Sequence, residues 1–274
     1  MRFGICNETF KDWPLDDVFA YCARLGYDAV EIAPFTLAKH VNEISAAARL
    51  RLRESAARAG IAISGIHWVL AQTEGLHLTS PDAATRERTA RYCCDLVDFC
   101  ADLGGESIVV GSPKQRSLLP GVTQEQAWAW ATELFRPSVK HAELRGVTLC
   151  FEPLPAEDTD FINTAAEAVR FTRQLASPHF QVILDVRAMS WEEKSIPQII
   201  RASAGQFAYV HANDKNLKGP GFGAVDFGPI ATALRDVGYD GTVSVEVFNY
   251  DDGPETIATK SLDYLRRAFD LSPR

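Results

Sequence analysis

Short apolar runs alternate along the whole chain with longer stretches in which apolar residues recur every three or four positions. Eight runs have the length and composition of strands: Phe3–Cys6, Ala29–Ile32, Ile61–Ile66, Ser107–Val110, Val147–Phe151, Gln181–Leu184, Phe207–Val210 and Thr242–Val245. Stretches between them, such as Leu15–Leu25, Ile44–Ala59 and Gln124–Leu144, read as amphipathic helices. Strand and helix in strict turn predict parallel pairing through right-handed crossovers.

Residues with special backbone roles fall where this scheme needs them. Glycine precedes a strand at Gly26, Gly60, Gly104, Gly146, Gly205 and Gly238, the position that ends a helix in the left-handed conformation. Thr123 with Gln126, and Thr164 with Glu167, have capping-box spacing. Pro81 and Pro254 suit a first helical turn, where the missing N–H costs nothing. The alternation has no break and no low-complexity linker. A single (β/α)8 TIM barrel spanning residues 1–274 is the expected fold, with a doubly wound open sheet as the alternative. Two strand-to-helix connections are long, Ser112–Gly121 and Ala212–Gly228, and in a barrel they would sit on the catalytic face.

Four of the strands end on residues that can hold a metal: Glu152, Asp185, His211 and Glu246. Their separations of 33, 26 and 35 residues are each about one strand–helix unit. Adjacent parallel strands would bring all four to one rim. Three carboxylates there would repel one another unless a cation sat between them. Three hard oxygen donors and one imidazole suit Mn²⁺ best, with Mg²⁺ or Co²⁺ as alternatives.

Composition narrows the partners. The net charge is −8 and basic runs are absent, which argues against nucleic acid and anionic membranes. Six cysteines, none in a C-x-x-C pair, read as free thiols of a reducing compartment. No apolar run approaches membrane-spanning length, so a cytoplasmic protein is expected.

The segments "FEPL", "DFINTAAEA", "ILD", "HANDKNLKGPGFG" and "GYDGTVSVEVF" resemble the xylose isomerase-like TIM-barrel superfamily of sugar isomerases and epimerases, which also includes endonuclease IV. Within it they are most similar to the ketose 3-epimerases. That resemblance implies that Glu152, Asp185, His211 and Glu246 ligate one divalent metal. It also implies that Glu152 and Glu246 act as acid and base on opposite faces of a bound sugar. A metal on the carbonyl and its neighbouring hydroxyl would stabilise the enediolate left when the adjacent C–H proton departs.

The chain departs from the epimerases at two places. Ala188 stands three residues beyond Asp185 where they carry histidine, and Leu217 stands six beyond His211 where they carry arginine. Both missing groups bind substrate oxygens in the relatives. Gln115, Arg116, Arg187, Lys215 and Lys218 are candidate replacement donors, for a carboxylated, phosphorylated or glycosidic sugar. Asp158 stands where relatives place a substrate-contacting glutamate. His67 and Trp68, just past the third strand, should reach the rim, and Trp13 is a candidate pocket wall. Glu31 is expected as a hydrogen-bonding residue outside the ligand set, His40 and His77 as weaker site candidates, and His141 and His179 as structural.

The expected activity is therefore metal-dependent sugar epimerisation or isomerisation. The alternatives are a dehydratase or lyase acting on a keto-sugar or inosose, an endonuclease IV-like phosphodiesterase, and a non-catalytic sugar-binding barrel. By analogy with relatives, a homo-oligomer is expected.

Overall fold

A closed barrel of eight parallel strands in the order β1 to β8 forms the centre of the computed structural model, which describes residues 1–270. The strands are β1 (Arg2–Cys6), β2 (Ala29–Ile32), β3 (Ala62–Ile66), β4 (Ser107–Val110), β5 (Thr148–Phe151), β6 (Phe180–Asp185), β7 (Phe207–Ala212) and β8 (Thr242–Val245). The helices are α1 (Leu15–Leu25), α2 (Ala46–Ala59), α3 (Ala83–Leu103), α4 (Gln124–Arg145), α5 (Ala165–Thr172), α6 (Val186–Met189), α7 (Ile196–Ala202), α8 (Phe227–Asp236) and α9 (Pro254–Ala268). The open-sheet alternative is excluded, because β1 pairs with β8 from Arg2↔Thr242 to Ile5↔Val245.

Each expected strand forms, within a residue or two of the bounds read from the sequence. Both capping boxes are present, on Thr123 and Thr164. Gly26, Gly60, Gly104 and Gly146 cap their helices in the left-handed conformation. Gly205 and Gly238 also have positive φ but lie past the caps Ser203 and Val237. Pro254 opens α9 as expected. Pro81 does not open α3: Asp82 follows it as the N-cap, accepting from the Ala84 and Thr85 N–H groups. The connection from β3 to α3, residues 67–82, is longer than the two expected from the sequence are as formed, and those from β2 (33–45) and β5 (152–164) match the one after β4 in length. No helix among the described residues is long and apolar enough to cross a membrane.

The pleat explains why the strands carry chemistry. Successive strand residues face opposite ways, one set toward the helices and the other into the barrel. Val210 and Ala212 of β7, and Val243 and Val245 of β8, join the large core beneath the helices. Their neighbours Tyr209, His211 and Ser244 face inward. Val109, Cys150, Ile183 and Tyr209 form a small apolar layer of their own. Directly beyond Cys150, Ile183, Tyr209 and Ser244 by one pleat come Glu152, Asp185, His211 and Glu246. Three of these four steps run from the apolar layer to a polar residue, and the fourth runs from Ser244 to Glu246, so a polar chamber stands on a largely apolar floor.

Candidate metal centre and sugar cavity

Adjacent strand tips bring the four residues together. Asp185 pairs with His211 across β6 and β7. The Glu152 N–H donates to the Val110 carbonyl at 3.1 Å, and the Glu246 N–H to the Ala212 carbonyl at 3.2 Å, so each glutamate is held at a strand tip. One candidate ligand atom from each of the four lies within 4.8 Å of the others, and all four residues are buried.

Each member is further fixed by a neighbour. Asp185 accepts from the Ala188 N–H and from Asn213 Nδ2, both at 2.6 Å. Glu246 Oε1 accepts from the Trp68 indole N–H at 3.1 Å. Glu152 lies against Gly111, where a β-carbon would fall 2.0 Å from its Oε2, so any other residue there would displace the carboxylate from its present position. His211 Nε2 lies 3.1 and 3.2 Å from the two oxygens of Glu31. A carboxylate only accepts, so the hydrogen of a neutral His211 sits on Nε2 and its Nδ1 lone pair faces the acids.

The residues present fit a divalent cation. His211 Nδ1 and Glu246 Oε2 are buried, 3.0 Å apart, an ion pair when the imidazole is protonated, and neither atom has a further hydrogen-bond partner. With the imidazole neutral, the two become acceptors facing one point, and only a proton or a metal cation can stand between them. The donor set of three carboxylates and one imidazole matches a hard ion.

Electrostatics agree. Burial, with Glu246 and Asp185 close by, pushes the Glu152 carboxyl up to about 8. Burial, then Glu246, pushes Asp185 up to about 6. Burial opposes charge on His211, but Glu246 and Glu31 outweigh it and hold its pKa well above the ordinary imidazole value. Glu31 is pushed down to about 2, because His211 and His67 overcome its burial. With no cation, protons take over the role of neutralising this cluster.

Above it opens a cavity of about 250 Å³. Glu152 and Glu246 reach it from below, His67 and Trp68 from the β3 side, and Asp158 and Arg187 from the β5–β6 side. Leu154, Leu217 and Phe248 make it largely apolar. Four of the eight substrate-contact candidates therefore line this space. Gln115 lines a second, adjoining cavity.

The other three are elsewhere. Arg116 is fully buried and donates to the carbonyls of Glu152 at 2.5 Å and Ile162 at 3.1 Å, with the Phe151 ring against its guanidinium. It supports the backbone that carries Glu152 and does not face the cavity. Lys215 lies over the exposed ring of Trp191, and Lys218 is paired with Asp252 at 2.6 Å. Sequence spacing placed all three near the rim but could not show that each already has a partner.

Trp13 packs on Phe10 and Tyr21 as part of the core, not as a pocket wall. His40 packs on Tyr92, and His77 accepts from the Thr79 N–H, so neither reaches the cavity. His141 contacts Asp98 and His179 the Val147 carbonyl, both away from the site.

Three residues of the site escaped the sequence reading. Asn213 orients Asp185 and accepts from the Arg187 N–H. Tyr209 donates to Glu31. Glu8 lies 2.9 Å from His67 Nε2, with both of its oxygens otherwise unpaired. Tyr209, His211 and Asn213 alternate along β7, and that period of two was the available signal for the first two. Glu8 sits in a short helical turn after β1 and left no periodic trace.

Comparison with known proteins agrees with this geometry. The family model described as "Xylose isomerase-like TIM barrel" matches residues 19–268. A D-psicose 3-epimerase of Ruminiclostridium cellulolyticum is 31% identical over 257 residues, covering 90% of this chain and 84% of the relative. A 3-dehydro-D-guloside 4-epimerase of Escherichia coli is 25% identical, covering 97% of this chain and 99% of the relative. The crystal structure of D-psicose 3-epimerase from Clostridium cellulolyticum H10 with D-tagatose superposes with a TM-score of 0.88 at 26% identity, over 98% of this chain and 99% of that one. In sequence and in fold, the chain belongs to the xylose isomerase-like TIM-barrel family, with ketose 3-epimerases among its relatives.

Proposed function

We propose that this protein is a divalent-metal-dependent sugar epimerase that inverts a carbon next to a ketone, with Glu152 and Glu246 exchanging the proton. The observation that carries this reading is that two glutamates from the tips of β5 and β8 meet in one cavity, within a buried cluster of three carboxylates and one imidazole whose ligand atoms lie within 4.8 Å of one another. The curated relatives named as D-psicose 3-epimerase and 3-dehydro-D-guloside 4-epimerase supply the reaction class.

Glu152, Asp185, His211 and Glu246 would hold the cation through carboxylate oxygens and His211 Nδ1. When bound, it supplies a positive charge that makes a C–H bond beside a coordinated carbonyl more acidic. The protein's own groups do the rest. One glutamate takes the proton, and the electron pair moves onto the carbonyl oxygen to give an enediolate. The other glutamate, in its acid form, returns a proton to the opposite face, so nothing is oxidised and one centre is inverted. Trp68 fixes Glu246 through Oε1, and Arg116 fixes the backbone of Glu152, so both carboxylates are positioned before substrate arrives. The apolar upper wall of Leu154, Leu217 and Phe248 excludes water from the enediolate.

The test is incubation of the manganese-loaded protein with a panel of keto-sugars in deuterated water. Deuterium at one carbon of an inverted sugar is expected, and it is lost after chelation and in Glu152→Gln and Glu246→Gln. An unsaturated or cleaved product would instead identify a lyase, and full activity after chelation would refute the metal-dependent reading.

A further inference from the structure

We propose that the site has two chambers, and that its substrate is a neutral keto-sugar carrying an apolar substituent of about aromatic-ring size, a keto-glycoside and not a free or phosphorylated ketose. This inference rests on the epimerase reading above and names its substrate class.

Charge comes first. The cavity over the cluster has two cationic side chains on its wall, His67 and Arg187. Arg187 is already held by Asp158 and Glu157, each at 2.8 Å. His67 lies 2.9 Å from Glu8 and 3.6 Å from Glu31. Outside the cavity, Lys218 is paired with Asp252. Apart from the cation proposed below it, a phosphate or carboxylate on this wall would therefore meet cationic side chains already engaged by acids, and the exposed Lys114 lies off this wall, at the rim of the adjoining cavity. A neutral sugar meets no such penalty.

Shape comes second. A second cavity, of about 420 Å³, adjoins the first and shares Trp68, Ser112 and Pro113 with it. Its walls include Phe35, Ala71 and Tyr250, with Glu8, Gln72 and Gln115 as polar edges and the exposed Lys114 at its rim. A free ketose over the metal ligands would leave this larger, mainly apolar chamber to water. Aromatic walls in a concave space suit a flat apolar group.

The wall between sugar and solvent agrees. Leu217 and Tyr250 are 39% and 41% exposed, two of the few large apolar side chains in contact with solvent, and each borders one of these chambers. Leu217 offers no hydrogen bond to a hydroxyl at the far end of a sugar, and neither does Ala188. A substituent in place of that polar end would cover the apolar surface.

The experiment compares the methyl and phenyl glycosides of 3-keto-D-glucose with D-fructose and D-fructose 6-phosphate. Affinity for the manganese-loaded protein is measured by calorimetry, and deuterium uptake is followed in parallel. The phenyl glycoside should bind at least about tenfold more tightly than the methyl glycoside, the scale of an apolar pocket contact. Both should outrank fructose and its phosphate. Tyr250→Ala, at a half-exposed position, should erode the phenyl-over-methyl ratio. Equal affinity for the two glycosides, or tightest binding of fructose or fructose 6-phosphate, would overturn the inference. Deuterium uptake into fructose with no phenyl preference refutes the two-chamber site and leaves the epimerase standing. A phenyl preference with no deuterium uptake in any sugar does the reverse.

Discussion

Glu31 and His211 face each other inside the barrel with Nε2 of the imidazole 3.1 Å from a carboxylate oxygen, and neither side chain is exposed. Glu31 also accepts from Tyr209 at 3.1 Å and from the Cys6 thiol at 3.4 Å. The carboxylate thus sets which nitrogen of His211 points at the other ligands. Glu31→Gln should raise the dissociation constant for manganese about 10–100-fold, the usual cost of losing a partner behind a metal-bound histidine. Competition titration against a chelator measures it. An unchanged constant would show that His211 needs no such support.

The buried acids make a statement about pH. Glu152 and Asp185 have folded pKa values raised from 4.5 to about 8 and from 3.8 to about 6. His67, whose burial is outweighed by Glu8 and Glu31, is raised from 6.5 to about 9. All three hold more protons folded than unfolded within those intervals, so metal-free stability falls as pH rises from about 4.5 to 9. Glu31 acts oppositely: its pKa is lowered from 4.5 to about 2, and its contribution is lost as pH falls through that range. Melting temperature without metal should therefore peak on the acid side of neutrality and drop by several degrees toward pH 9. Manganese should raise it more at pH 8 than at pH 5, because binding requires the ionised acids. A metal increment independent of pH would contradict the arrangement.

Arg116 is the largest fully buried side chain, and burial pushes its pKa down to about 10. Its two hydrogen bonds join the carbonyls of Glu152 and Ile162, so Arg116→Met strands both. The expected loss is about 3 kcal/mol in urea unfolding. Manganese affinity should weaken as well, since the Glu152 backbone loses its anchor. Loss of stability alone, with metal affinity intact, would separate the two roles.

By the resemblance drawn from the sequence, Ala188 and Leu217 stand where ketose 3-epimerases carry a histidine and an arginine. Ala188 is buried in α6, and Leu217 lines the sugar cavity with φ at +69°. The double substitution Ala188→His and Leu217→Arg should raise kcat/KM for free ketohexoses at least about tenfold and lower it for a phenyl glycoside. An arginine meets the same left-handed backbone as the leucine it replaces, so the change should not add strain. No gain on free ketoses would mean that specificity is set elsewhere on the rim.

The fold was legible because its signals are local. Each strand of four to six residues has its own apolar run, and helix ends such as Gly26 or Thr123 need only their immediate neighbours. The cluster of three acids and a histidine was legible for a related reason: Glu152, Asp185, His211 and Glu246 each sit at a strand tip, and parallel topology turns near-equal spacing into proximity. The partners of charged groups were not legible. Arg116, Lys215 and Lys218 all resembled free donors, yet their contacts lie with Glu152, Trp191 and Asp252, and those last pairings depend on how loops fold over one another. Glu8 was missed because its approach to His67 joins the loops after β1 and β3, which no period in either segment foretells.

All four members of the metal cluster are borne by strands or their first flanking residue, while the walls above come from connecting segments. The strand tips thus carry the cluster, and the segments above carry both the cavity wall and, through Trp68, Arg116 and Asn213, the supports of its acids. Changes confined to the segments around Leu217 and Tyr250, with Trp68, Arg116 and Asn213 kept, would leave the four strand-borne residues and their supports in place. The barrel is suited to acquiring new sugars one rim segment at a time.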